Sequence, residues 1–501
     1  MGTEGKGTSG ISGNSPDAGV ALPSSGGGRS STEFAKAVLA DAVRKFDADL
    51  SQAIETSQRW RTRYPAAFHA LTAVSASSPA AARGIAADGL RSALALLRYV
   101  HHGSESALSR GSWRKTESSL GAQTIRGGGD AEPALRVPFA DGVLEGDALR
   151  AQLTDWRDRG IVEQSFAAAV EKVIENPKWL SLPGFQVLVV GAGAELSPYL
   201  PLLAWGANVL AVEAPGTEVW QRLTDAAAQG AGTVTFPVAA DVPGADVARD
   251  FPQVLGWVYA NAHKKRRLVA GLYADDARLV EATAAFGVIA DDLVANWPDT
   301  TLAYLGSPTD CYAVKTDVMA EARRRWNDRG FTAPVQNALR IASRSTLFRP
   351  HYHDEVVDYE GNHWGLADAV TAALGPDFVL AKRLQRWRGV RACANGQRIS
   401  FNVAPASWTR AVADNRALAA ILHGIKHFGV EVFAADTART LMAAKLVADL
   451  FDPPAVDTEA NPEELFYEGA AHGGLWRLPY EPLSALRVAA AMGAPKLLHR
   501  R

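Results

Sequence analysis

Residues 186–213 read QVLVVGAGAELSPYLPLLAWGANVLAVE, and the fold turns on this stretch. Gln186–Val190 is a short apolar run that ends at Gly191. Asn208–Val212 is a second such run, and a helical segment at about Pro198–Leu203 lies between them. Strand, helix and strand in so little chain make a βαβ unit, which requires parallel strands. The first strand ends in Gly191-Ala192-Gly193-Ala194-Glu195. Small residues at such a corner let the backbone approach a diphosphate, whose charge then rests at a helix N-terminus. Gly191, Gly193 and Glu195 are therefore candidate cofactor contacts. The third glycine of the usual pattern is missing, and a carboxylate at 195 repels a diphosphate unless it turns away. Glu213 closes the second strand, twenty-two residues after Gly191. An acid there accepts hydrogen bonds from both ribose hydroxyls of an adenosine and repels a 2′-phosphate, which favours NAD over NADP. Asp241 and Val242 follow a third strand, where an acid can meet an adenine amino group. S-adenosylmethionine would use the same corner and the same acid, and a tight turn with no ligand would need the same glycines.

Outward from this unit, further strands are expected at Thr233–Val238, Leu268–Leu272, Thr301–Leu305, Ile399–Val403 and Val430–Phe433. Helices at about 276–296, 316–328 and 379–394 alternate with them. The pattern predicts a doubly wound α/β sheet in the order 3-2-1-4-5-6, with a seventh strand open. Upstream, Phe34, Val38, Leu39, Val43, Phe46, Leu50 and Ile54 recur at helical steps and predict one long amphipathic helix; a second is expected at about 81–102. Residues 109–150 read as loop. Residues 1–32 are rich in Gly, Ser and Thr and are expected to be disordered. The expected division is a tail to 32, a mostly helical region 33–184, a nucleotide-binding half 185–310, an insertion 311–375, and a second half with a C-terminal cap, 376–501.

The bulk composition restricts the partners. The 501 residues are 47% hydrophobic and 21% charged, with a formal net charge of -2. That balance supplies no field to recruit nucleic acid, and no run approaches the length of a membrane span. Two cysteines, Cys311 and Cys393, need no disulfide framework and suit a reducing compartment; the expectation is a cytoplasmic protein with a small-molecule substrate.

The second half carries a resemblance. Phe378-Val379-Leu380-Ala381-Lys382 opens a helix, and Arg398-Ile399-Ser400-Phe401-Asn402-Val403-Ala404-Pro405 follows about twenty residues later. This block resembles the short-chain dehydrogenase/reductases, in which a Tyr-x-x-x-Lys helix precedes a strand much like Arg-Val-Asn-x-Val-x-Pro-Gly. The resemblance implies a Rossmann-like fold, an NAD(P) cofactor and oxidoreduction at a carbonyl or alcohol carbon. It places Ser307 as the substrate-orienting serine, Lys382 on the nicotinamide ribose, Pro405 beside the cofactor, and residue 378 as the proton-transfer site. It also makes a homodimer an open expectation. Phe378 cannot transfer a proton: the tyrosine has been replaced in this chain, or another residue supplies the proton, or the site performs no such chemistry. The family's Asn-Asn-Ala-Gly is also absent, with Ala270-Gly271-Leu272-Tyr273 in its place. A methyltransferase using S-adenosylmethionine and a non-catalytic cofactor-binding scaffold are the alternatives.

The insertion holds Tyr312, Lys315, Arg349, His351, Tyr352, His353, Asp354, Tyr359 and His363. At the catalytic end of the strands these would form a lid or wall for a bulky or partly apolar substrate. His351 and His353 alternate as metal ligands on a strand do, but no third ligand is evident. The last stretch, 462–480, is read as aromatic core packing.

Overall fold

The computed structural model describes residues 18–25, 28–275, 278–455 and 457–498. Six strands run parallel through its centre: β1 (Phe185–Val190), β2 (Asn208–Val212), β3 (Thr233–Ala239), β4 (Arg267–Leu272), β5 (Thr301–Gly306) and β6 (Ile399–Val403). Their order is 3-2-1-4-5-6, as the sequence pattern predicts. The sheet is mixed, because Gly121–Arg126 pairs antiparallel with β3 along its whole length. That strand lies in the stretch read as loop; all but one of its residues are exposed, so it carries no apolar alternation to mark it.

The sheet is two-faced. Leu188, Val190, Leu210, Leu268, Leu272 and Leu302 point into one core, whereas Val187, Val189, Val209, Val234, Val269 and Ala303 point into the other. Strict alternation of apolar residues to both faces is what a buried parallel sheet requires. Helices Val247–Asn261, Leu279–Asn296 and Pro376–Ala394 cover the first face, and Thr217–Gln229 and Ala435–Phe451 the second.

The N-terminal region is helical but divided differently from expectation. The single helix predicted through Ile54 is two, Ser31–Val43 and Ala48–Thr56. Asp47 breaks it, because its side chain accepts the Leu50 amide at 2.8 Å and caps the second helix. Trp60–Ala76 follows, and Ser78 with Pro79 starts Pro79–Leu96. The expected disorder up to 32 also ends sooner. Gly19–Ala21 pairs with Arg98–His101, and Arg278 donates to the Val20 carbonyl at 2.7 Å. Residues 1–17 of that tail lie outside the described residues. Among the described residues the seventh strand does not join the sheet, and Phe433–Ala434 pairs with Ser407–Trp408. The insertion folds as a three-stranded antiparallel sheet, Cys311–Val314, His363–Asp368 and Glu355–Val357, with helices Thr316–Asn327 and Ala333–Ala342. Among the described residues no helix is long and apolar enough to cross a membrane.

A buried ion network ties these parts together. Arg386 donates to Asp310 at 3.0 Å, to Glu463 at 2.7 Å and to the Cys311 carbonyl at 2.6 Å. Its guanidinium lies over the rings of both Tyr312 and Phe466. Arg383 reaches Asp310 at 3.2 Å and Thr72 at 3.0 Å, and Ser75 donates to Glu463 at 2.7 Å. One network therefore joins the Pro376–Ala394 helix to the end of β5, the Trp60–Ala76 helix and the C-terminal segment. Burial would raise Asp310, but the two arginines hold its carboxyl below the ordinary range. Removing one partner strands a buried charge. Arg386→Gln is expected to lose about 3–5 kcal/mol of stability, read by urea unfolding; a loss within about 0.5 kcal/mol, the range of ordinary surface changes, would show the network to be dispensable.

Candidate functional site

The carboxyl ends of the strands form a rim, and its corner is Gly191. Its amide donates to the Val212 carbonyl at 2.9 Å, and the Tyr273 amide donates to Val190 at 2.8 Å, so β2, β1 and β4 end together. Gly191 adopts φ +83°, and a Cβ there would lie 2.3 Å from the Ala274 nitrogen. Only glycine fits where the chain leaving β4 passes so closely. Because β2 and β4 flank β1 and leave it in opposite directions, this corner is the switch point of the sheet.

Glu213 closes on the corner itself. One carboxylate oxygen accepts the Gly193 amide at 2.7 Å and the other accepts the Ala214 amide at 2.9 Å. A Cβ on Gly193 would meet Val219 at 2.5 Å and that carboxylate at 3.0 Å. The helix between β1 and β2 lies where it was expected, at about residues 198–203, and so begins some residues past the corner. Ala194 and Ser197 amides donate to Gly191 and Ala194 carbonyls in consecutive turns, and the helix proper is only Tyr199–Ala204. Pro198 and Pro201 restrict where it can begin. The helix N-terminus is therefore not at the glycine corner itself.

Glu195 turns away from the corner. It accepts the Arg410 amide at 2.5 Å, at the start of the Arg410–Asp414 helix, and Arg439 donates to its carbonyl at 3.0 Å. The carboxylate that would repel a diphosphate is thus occupied elsewhere. Asp241 and Val242 follow β3 as expected, but in a tight reversal of the chain. Ala240 and Asp241 adopt φ +46° and +64°, and Val242 returns antiparallel beside Ala239 as a tight hairpin. Both Asp241 and Val242 are exposed. The returning chain brings Ala245, not Asp241, to Glu213, its amide donating to the Glu213 carbonyl at 2.8 Å.

The resemblance-derived residues converge past β5. Ser307 shares a 2.7 Å hydrogen bond with Thr309, and its carbonyl accepts the Tyr312 hydroxyl at 2.8 Å. Lys382 donates to the Leu305 carbonyl at 3.0 Å and stands 5.8 Å from the Phe378 ring centroid. Residues 378 and 382 thus share one helix face. Pro405 is buried beyond β6, its carbonyl accepting the Ser407 hydroxyl at 2.9 Å. Burial pushes the Lys382 amine down from 10.5 to about 8, while Asp275 and Asp310 act in the opposite direction. Asp275 follows Ala274, the residue against the Gly191 corner. Glycine corner and ammonium therefore lie along the same rim.

The polar groups of the insertion do not form one wall. Tyr312, His351 and Tyr352 are buried, with His351 on the Leu478 carbonyl at 3.1 Å and Tyr352 on the Trp476 carbonyl at 2.7 Å. His353 faces Asp354 at 2.6 Å, His363 faces Glu355 at 2.6 Å, Lys315 pairs with Glu464 at 3.1 Å, and Tyr359 is exposed. His351 and His353 therefore turn to different surroundings. In the C-terminal stretch His472 donates to Glu163 at 2.9 Å and stacks on Trp476, while Arg477 grips the same carboxylate. Burial alone would raise Glu163, yet these two partners hold it at about 2. Asp310, Arg383, Arg386, Glu163 and His69 carried no local pattern in the sequence, since their partners are remote in the chain.

The chain matches no family model. It also matches no curated protein.

Lys382 yields a pH prediction. A lysine with a lowered folded pKa binds fewer protons folded than unfolded between about 8 and 10.5. Its destabilising contribution is complete below that window and disappears as pH rises through it. The wild-type protein is expected to gain stability across the window relative to Lys382→Met, in paired urea titrations. Parallel curves for the two proteins would contradict the shifted amine.

Proposed function

We propose that this protein is an NAD(H)-dependent oxidoreductase of Rossmann type, acting on a carbonyl or alcohol carbon of a small molecule. The observation that carries the reading is the shared rim: the Gly191 corner at the switch point of a 3-2-1-4-5-6 sheet, with Lys382 over the end of β5. The residues at the corner suit an adenosine diphosphate group. The Gly193 amide is a donor for a phosphate oxygen, and Glu213, released from that amide, accepts from ribose hydroxyls. Its charge disfavours a 2′-phosphate, so NADP is the poorer ligand. A bound nicotinamide would supply or take the hydride.

The remaining chemistry falls to the chain. Phe378 offers no proton. Lys382, with its pKa lowered to about 8, lies close to working pH, where a general acid or base is most effective. In reduction its ammonium gives a proton to the developing alkoxide oxygen and is re-protonated by water. In oxidation the neutral amine takes that proton. Ser307, held by Thr309, orients the substrate oxygen by hydrogen bonding. Burial of the amine sustains its lowered pKa.

Ligand-dependent melting is the test. NADH at one hundred times its Kd is expected to add about 2.7 kcal/mol of stability, NADPH less, and Glu213→Gln is expected to weaken NADH binding and narrow its advantage over NADPH. Lys382→Met is expected to bind NADH yet lose turnover, followed through reduced-nicotinamide absorbance. Stabilisation by S-adenosylmethionine alone would move the protein to methyl transfer, and no response to any dinucleotide would end the proposal.

A further inference from the structure

The insertion meets the Trp60–Ala76 helix at three side chains of metal-ligand type. Cys311 opens the Cys311–Val314 strand and Asp368 closes the His363–Asp368 strand. The two residues stand directly opposite each other in the antiparallel register, so their side chains share a face. His69 comes from the helix, its Nδ1 2.9 Å from an Asp368 oxygen. One ligand atom from each residue lies within 4.8 Å of the other two. We infer that His69, Cys311 and Asp368 form a binding site for a divalent transition metal of the zinc class.

The donor set selects this class. Imidazole, thiolate and carboxylate together suit a borderline-soft ion, whereas calcium and magnesium take oxygen alone. In a tetrahedral zinc site the ligand atoms are about 3.3–3.8 Å apart. The trio needs only a modest adjustment to reach that geometry: the His69–Asp368 pair at 2.9 Å opens slightly, and the wider separations, all within 4.8 Å, close. Asp368 is already oriented, because its other oxygen accepts the Val370 amide at 3.0 Å. The His69 side chain is 43% exposed, while those of Asp368 and Cys311 are buried. An ion therefore enters from the His69 side, and water completes its coordination there.

A nucleophilic use of the same trio fails on burial. Burial and the neighbouring Asp368 drive the Cys311 thiol well above its ordinary value, which leaves it inert towards substrates. A dication reverses that penalty, since thiolate and carboxylate then both face positive charge. The nearby Arg383 guanidinium is engaged by Asp310 and Thr72, so its repulsion of an ion is offset. The bound ion would clasp the insertion to the N-terminal helices. This inference is independent of the reading of the glycine corner.

The experiment uses the full-length chain, treated with chelator and titrated with Co²⁺ alone. The expected result is a sulfur-to-cobalt charge-transfer absorption that saturates at one ion per chain and is displaced by Zn²⁺. Cys311→Ser should abolish that band and Cys393→Ser should keep it. His69→Gln, at a half-exposed position that tolerates change, should weaken binding by at least about tenfold. Absence of the band in the wild-type chain would overturn the site. So would unchanged Co²⁺ affinity in both His69→Gln and Asp368→Asn.

Discussion

Asp310 accepts from two buried arginines, Arg383 and Arg386, and the arrangement of the molecule depends on that contact. Each of these ions loses several kcal/mol of hydration on burial, so none can sit there unpaired. The partners come from four distant parts of the chain, and their pairing fixes how those parts meet. Asp310 follows Ser307 by three residues, and Arg383 follows Lys382 by one. The same contact that docks the N-terminal helices and the C-terminal segment therefore also sets the two polar groups at the end of β5. Fold and candidate site share one set of constraints.

The rim has a second constraint at its other end. Glu213 satisfies the Gly193 amide, a donor that would otherwise lack that partner. A ligand phosphate would replace one acceptor with another while freeing the carboxylate for ribose. Such an exchange costs little net hydrogen-bond energy, because both states keep the amide paired. Glu195 contributes by absence: its charge caps the Arg410–Asp414 helix and does not oppose an anion at the corner.

The central sheet was legible because its strands are apolar on both faces and its corner needs glycine. Ile399–Val403 and the βαβ unit followed directly from those patterns. The strand Gly121–Arg126 was not, because it lies on an exposed edge with few apolar residues. The hairpin after β3 was not legible, because positive φ at two non-glycine residues, Ala240 and Asp241, leaves no glycine signal. The long N-terminal helix was overextended for a similar reason: the apolar stripe crosses Asp47, and only the cap divides it. In the site, the pairing of Phe378 with Lys382 was read from the resemblance, and their helical spacing puts them on one face. The Asp310 network and the His69–Cys311–Asp368 group were not, because each joins residues hundreds of positions apart.

The most direct measurement is hydrogen–deuterium exchange of the full-length chain with and without saturating NADH. A dinucleotide across the strand ends should slow exchange at amides 191–195 and 273–275, most of all at Gly193, where phosphate oxygen would take the bond now made by Glu213. Unchanged exchange at these amides, or protection confined to another part of the protein, would contradict binding at this rim.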